Sequence, residues 1–285
     1  LLGYSRQAFY GHQKHLEEEV FQSELVVQEV IRHRILQPRV GTRKLIIMLQ
    51  EFVKRHKISM GRDALFSLLR EQDLLVRKRK RKAVTTYSKH WLRKYPNLIR
   101  EFVPLAPNRL WVSDITYIVL SEGFAYLSLV TDAYSHKITG FYLSTTLEAK
   151  GLVMALEMAI RSCTNITSLI HHSDRGVQYC CADYVDILQQ KNVRISMTEN
   201  GDPLENAIAE RVNGILKEEL LQVQYNSFEE AQKSVAKAIT IYNSIRLHSS
   251  CDMLTPKEAH KKEGELKKHW KNYYKKKEVV LDKLE

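Results

Sequence analysis

The stretch RLWVSDITYIVLSEGFAYLSLVTDAYSHKITGFYLSTT, residues 109–146, decides the fold. It is rich in β-branched and aromatic residues, alternates in polarity, and is broken twice by short polar links. It reads as three strands joined in an antiparallel meander. Asp114 interrupts the first of them, and alternation puts Val112, Asp114, Thr116 and Ile118 on one side. An acid inside a hydrophobic strand is costly to bury unless its charge is offset. It reads either as an acid on a solvated sheet face or as a metal ligand held on rigid scaffold.

Working outward, LEAKGLVMALEMAIRSC (147–163) has helical spacing, ITSLIHHSD (166–174) is a strand, CADYVDILQQKN (181–192) a helix and VRISM (193–197) a strand. NGDPLENAIAERVNGILKEE (200–219), FEEAQKSVAKAITIYNSIRLH (228–248) and TPKEAHKK (255–262) are further helices. The order βββαβαβα implies an α/β fold, a mixed five-stranded sheet with helices on both faces. Asp174 ends a strand, where open α/β sheets place their sites. Gly176 permits a tight bend after it; the plainer reading is that Asp174 caps the next element.

In the 200–219 helix, Asp202 serves as N-cap, Pro203 as N1 and Glu205 as N3. Leu204, Ile208, Val212 and Ile215, with Ala207, form the buried stripe. Asn206, Glu210, Asn213 and Lys217 form the opposite, wet face at spacings of four, three and four. Singly these are ordinary helix-face residues. Together, a strand acid (Asp114), a strand-end acid (Asp174) and a helix acid (Glu210) are the parts of a cage for two hard divalent cations, Mg²⁺ with Mn²⁺ as a substitute. Lys217 is then expected to hold a phosphate of a bound DNA end, and Asn206 to orient the cage or touch a base.

Residues 1–75 read as short helices. Ser5 is a cap, Pro38 and Gly41 break the chain, and Leu45, Met48, Leu49 and Phe52 line one face. Basic turns, with Arg43 and Lys44 as contacts, suit a DNA-binding region; a helical bundle without a ligand fits as well. Six consecutive basic residues follow: Arg77, Lys78, Arg79, Lys80, Arg81 and Lys82. Such a block resists packing and gains from counterion release beside a duplex. The expected organisation is a helical DNA-binding and linker region over 1–86, a connector over 87–108, a catalytic core over 109–260 and a lysine-rich tail over 261–285. The tail carries Trp270, Tyr273 and Tyr274.

The formal charge of +11 favours a polyanionic partner. No apolar run approaches the roughly 18 residues of a membrane span, so a membrane protein is not expected. Neither a signal peptide nor an initiator Met opens the chain, which suggests upstream sequence and a cytoplasmic, nucleoid-associated location. Four cysteines in a chain this long give no disulfide framework, and Cys180–Cys181 beside His171–His172 matches no usual zinc spacing.

Five segments together carry a resemblance: WVSDITYI (111–118), LVTDAYSHKITGFYL (129–143), HHSDRGVQY (171–179), ENGDPLENAIAERVNGILKEE (199–219) and YNSIRLHSSCDMLTPKEA (242–259). They resemble the DDE transposases of the bacterial insertion-sequence-three family, which share the catalytic core of retroviral integrases. Asp174 and Glu210 are separated by 35 residues, the spacing expected of that family. YSRQAFY (4–10) and VGTRKLIIMLQ (40–50) resemble its helix-turn-helix end and linker region. The resemblance implies an RNase H-like fold, with Asp114, Asp174 and Glu210 as the catalytic acids and Lys217 as the basic residue after the glutamate. It also implies magnesium-dependent cleavage at inverted-repeat ends, strand transfer by the freed 3′-hydroxyl along a copy-out–paste-in route, and a second reading frame joined to an upstream one by frameshifting. Synapsis of two double-stranded DNA ends implies at least a dimer.

There are departures. His136 replaces a common Arg, Glu205 a common Asp, and Leu247 and Cys251 a usual Pro and Leu. Asp132, at the end of a strand next to the one bearing Asp114, competes as a ligand; the family pattern makes it a residue that supports the ligands or a structural one, and His172 is a candidate neighbour of the scissile phosphate or a packing residue. The alternatives are an RNase H-type or structure-selective nuclease that does not join strands, and an inert DNA-binding protein of the same fold.

Overall fold

The computed structural model describes residues 6–76, 91–163, 166–199, 203–269 and 280–281. The basic tract 77–82, Ser5, Asp202 and the three aromatic residues of the tail lie outside the described residues. The chain divides into two units, Leu1–Lys80 and Arg81–Glu285.

The first unit is helical: α1 (Arg6–Leu36), α2 (Thr42–Met48), α3 (Gln50–Arg55) and α4 (Arg62–Glu71). Its core gathers Val26 and Val30 of α1, Leu45 and Leu49, and Leu65 and Leu69 of α4. The i, i+4 spacing of each pair puts both residues on one helix face. Arg43 is exposed on the first turn of α2, while Lys44 is half-buried.

The second unit holds β1 (Phe102–Val103), β2 (Leu110–Val119), β3 (Phe124–Asp132), β4 (Ile138–Ser144), α5 (Ala149–Arg161), β5 (Ile170–Ser173), α6 (Ala182–Gln190), β6 (Arg194–Met197), α7 (Ala207–Ile215), α8 (Phe228–Ser244), α9 (Pro256–Ala259) and β7 (Val280–Leu281). Five strands form one sheet in the order β4-β3-β2-β5-β6. The meander is antiparallel, with Asp114 opposite Leu129 across β2 and β3. β5 joins the other side of β2 in parallel, and β6 joins β5 in parallel. This is the mixed, helix-flanked sheet of an RNase H-like core. In the tail, Val280 and Leu281 pair in parallel with β1.

Alternation along the strands feeds two cores. Trp111, Val130, Leu152, Leu156, Tyr184 and Leu188 cluster where α5 and α6 cover one face. Leu127, Leu129, Val212, Ile215, Val235 and Tyr242 cluster where α7 and α8 cover the other. Val112 packs with Ala209 of α7, so the side of β2 that carries Asp114 faces α7.

Gly140 lets β4 and α5 touch. A Cβ there would lie 2.0 Å from the Ala155 carbonyl oxygen and 2.7 Å from the Ala159 nitrogen, both backbone atoms that cannot rotate aside. Gly140→Ala is therefore expected to push α5 off the sheet and cost about 1–3 kcal/mol or more. A urea melt of the full chain checks it; an unchanged midpoint would contradict the close approach.

Candidate active site

Asp114 sits half-buried in the central strand. Its Oδ1 accepts the Ile115 N–H at 2.9 Å and its Oδ2 accepts from Asn213 Nδ2 at 2.7 Å. The parallel ladder pairs Leu110 with Ile170, Trp111 with His171 and Val112 with His172. Two residues further along each chain stand Asp114 and Asp174, so the register brings the two aspartates to the same end of the β2–β5 pair. Asp174 follows the last residue of β5, and its Oδ1 accepts the Gly176 N–H at 2.9 Å. Gly176 has φ −60°, a conformation open to any residue. The carboxylate of Asp174 closes this turn, and the conformational freedom read into Gly176 is not used.

Glu210 lies exposed in the first turn of α7. A carboxylate there is favoured by the free N–H groups of the helix end. Asp114 feels both other acids. The Asp114 carboxyl is pushed up to about 7, first by burial, then by the negative charge of Asp174, with Glu210 adding in the same sense. The hydrogen bonds from Asn213 and Ile115 oppose this and are outweighed. Repelling carboxylates of this kind are relieved by a cation. Among the described residues, no three His, Cys, Asp or Glu side chains form a group that could hold a metal ion as they lie.

The wet helix face expected for residues 206–217 is overturned. Asn206 and Asn213 are each 6% exposed, and of the four only Glu210 is exposed. Asn206 Nδ2 donates to the Ser113 carbonyl oxygen at 3.0 Å. Asn213 donates to the next residue, Asp114. Two buried amides seven residues apart thus dock α7 on consecutive residues of β2. Both Oδ1 atoms are buried and find no hydrogen-bond partner among the described residues. Ala207, expected in the buried stripe, is exposed, and Ala209 is buried in its place. The capping scheme also fails, because Pro203–Asn206 is a 3₁₀ turn and α7 begins at Ala207. Glu205 instead accepts the Glu199 N–H at 2.6 Å.

Lys217 is half-buried in a π-helical turn, Leu216–Leu220, that continues α7. Burial lowers its pKa, and the charge of Asp114 pulls it back up. Asp132 is fully buried and holds a turn: it accepts from the Asn108 N–H, the Ser135 N–H and Ser135 Oγ at 2.7–2.8 Å. His172 is fully buried, with Nδ1 2.8 Å from Ser196 Oγ. The four cysteines are free.

One supporting network was not among the expectations. His171 Nε2 lies 2.8 Å from both Ser113 Oγ and Tyr184 OH, tying β2, β5 and α6 together directly behind Asp114. Adjacent residues of one strand point to opposite faces, so the residue that backs an active acid is its polar neighbour in sequence. That rule would have picked out Ser113.

A meander extended by two parallel strands, with its acids at the parallel junction, defines an integrase-type core. Two models described as "Integrase core domain" match residues 104–203 and 191–256. The insertion element IS600 uncharacterized 31 kDa protein of Shigella sonnei is 35% identical over 261 residues, 90% of this chain and 94% of that protein. The transposase InsF for insertion sequence IS3A of Escherichia coli is 34% identical over 193 residues, 67% of each chain. The match to the putative transposase for IS986/IS6110 of Mycobacterium tuberculosis spans 60% of that protein. A solved HTLV-2 integrase catalytic core in complex with magnesium is 17% identical, with a TM-score of 0.44 over 55% of this chain and 99% of that one. The chain belongs to the family of insertion-element transposases that carry an integrase core domain. Among the described residues, no helix is long and apolar enough to cross a membrane.

Burial holds the His171 ring well below the usual imidazole range, at about 3. The folded value lies below the unfolded one. The network's contribution to stability is therefore whole above pH 6.5 and is lost as pH falls from there toward 3. The ring resonances of His171 should stay flat in an NMR titration from about pH 8 to about pH 5. A midpoint near the usual imidazole value would contradict the buried network.

Proposed function

We propose that this protein is a DDE transposase that cleaves DNA at the inverted-repeat ends of its element and joins the freed 3′-hydroxyl to target DNA, by a copy-out–paste-in route. The observation that carries the reading is the parallel register that brings Asp114 and Asp174 to the same end of β2 and β5, with the negative charges of Asp174 and of Glu210 on α7 both raising the Asp114 carboxyl. Asp114, Asp174 and Glu210 are the residues that would hold Mg²⁺, with Mn²⁺ as its substitute. Mg²⁺ keeps several waters and needs only one or two carboxylates per ion. The donor set would therefore fit Mg²⁺ without three acids closing on one ion. When bound, the two ions activate the attacking oxygen and stabilise the leaving one.

The chain's own residues do the rest. Asn213 holds Asp114 by one oxygen and so keeps its carboxylate oriented. Asn206 fixes the helix on the strand through the Ser113 carbonyl, which supports its orienting role over direct contact with a base. Lys217 grips a phosphate of the bound end. In the proposed organisation, residues 1–86 bind DNA, with Arg43, Lys44 and the tract 77–82 on phosphates, and 109–260 is the catalytic core. The protein works on double-stranded DNA as at least a dimer, in the bacterial cytoplasm at the nucleoid. It is the product of a second frame of an element of the insertion-sequence-three type.

Asp114→Asn, Asp174→Asn and Glu210→Gln are each expected to reduce Mg²⁺-dependent nicking of labelled ends, and joining of a pre-cut 3′-hydroxyl, to background while end binding persists. Nicking without joining by the unaltered protein would favour a nuclease, and a variant that still cuts would remove its residue from the site. Replacing Arg77, Lys78, Arg79, Lys80, Arg81 and Lys82 by Gln should weaken end binding and reduce the slope of log K against log salt by about 0.9 for each phosphate no longer neutralised. An unchanged slope rejects phosphate binding by the tract.

A further inference from the structure

The turn that carries Lys217 is not α-helical. Over Leu216–Leu220 the backbone winds as a π-helix, and the Leu221 N–H closes it on the Leu216 carbonyl at 2.8 Å, five residues back. In an α-helix, residues seven apart stay within about 20° of one face. A π-turn adds a residue to the winding, and Lys217 stands inside it, so α-helical spacing alone does not set where Lys217 points. Such turns need something to hold them.

Here the holder is an arginine from beyond the end of α8. Arg246 is 2% exposed and grips both oxygens of Glu219, Nε to Oε2 at 2.8 Å and Nη2 to Oε1 at 2.7 Å. Its third nitrogen, Nη1, lies 2.9 Å from His248 Nε2 and donates to the Leu247 carbonyl at 3.3 Å. The guanidinium also lies over the Tyr242 ring, 5.9 Å from its centroid. All three guanidinium nitrogens are thus engaged. A buried ion pair is poor evidence of added stability, because desolvation offsets its attraction; its best-attested use is to fix one arrangement among several. The planar fork fixes distance and orientation together, which a lysine cannot do.

We propose that Arg246 is a positioning residue: its bidentate hold on Glu219 keeps the π-turn wound, and the π-turn sets the direction in which the Lys217 ammonium points. The consequence for DNA rests on the assignment of Lys217 to an end phosphate made above.

Two measurements on the full chain test it. Hydrogen exchange should show the Leu221 amide opening about tenfold faster or more in Arg246→Lys and in Glu219→Ala, with β2 amides unchanged. Where one variant fails to fold, the other carries the measurement. Exchange at Leu221 unchanged in a folded variant overturns the proposal. In end binding, Lys217→Ala and Arg246→Lys should each lower the salt slope by about 0.9, and the double variant should fall no further than Lys217→Ala alone. Effects that add would make Arg246 merely structural and overturn the positioning role. If Lys217→Ala leaves end binding intact while Leu221 exchange still responds to Arg246→Lys, the hold on the turn stands and the phosphate role of Lys217 falls.

Discussion

A parallel pairing three residue pairs long, Leu110–Ile170 to Val112–His172, sets the site. Extended by two residues it brings Asp114 and Asp174 to the same end of adjacent strands, where burial and their mutual repulsion hold one carboxyl near neutrality. Parallel strands carry equivalent residues side by side; an antiparallel partner offers Asp114 only Leu129. The switch from antiparallel to parallel at β2 is thus what gathers acid. Every other feature of the site reads as a response to that concentrated charge. Asn213 and the Ile115 amide stabilise part of it by hydrogen bonds, Asn206 and the Ser113–His171–Tyr184 network brace the strand beneath it, and the charge of Asp114 raises the pKa that burial lowers at Lys217.

The bracing groups are neutral, and this has a physical reason. A charged group behind Asp114 would add to its desolvation or shift its proton, whereas hydroxyl, amide and neutral imidazole groups fix the strand without adding charge. His171 supports this: burial keeps its ring uncharged through the range around 7 in which Asp114 changes state. The Arg246–Glu219 ion pair stands further along, on the far side of Lys217 in the π-turn. There its charges order the helix extension rather than the acids.

The strands, their order of appearance, and the places of Asp114 inside one strand and Asp174 at the end of another were legible because alternation and strand-end polarity are local signals. β2, β3 and β4 fall within the segments read from 109–146, and the βββαβαβα order survives intact. What was not legible was long-range or fine. Asn206 and Asn213 looked like a solvated face because amide side chains on a helix usually are; their burial depends on a strand 93 and 99 residues away supplying a carbonyl and a carboxylate. The π-turn was hidden because its cause, Arg246, is distant in sequence from Glu219. The Val280–Leu281 strand was hidden because two residues carry no period. Gly176 was misread for the opposite reason: a local rule about glycine took precedence where the aspartate two residues before it closes the turn itself.

The departures from the family pattern sort along the same line. Glu205, standing for a common aspartate, reaches the Glu199 amide with its longer side chain and so ties the 3₁₀ turn to the end of the preceding segment. His136, standing for a common arginine, is driven to about 4 by burial and is therefore neutral, in a left-handed backbone position with φ of 60°. Its ring lies 5.5 Å from that of His248, whose Nε2 faces Arg246. An arginine at 136 would bring a second guanidinium toward the shell that already surrounds Arg246, and burying two like charges together is unfavourable. The neutral imidazole leaves the Arg246 guanidinium unopposed in its hold on Glu219, which is the condition under which a bidentate pair can keep a turn in one winding.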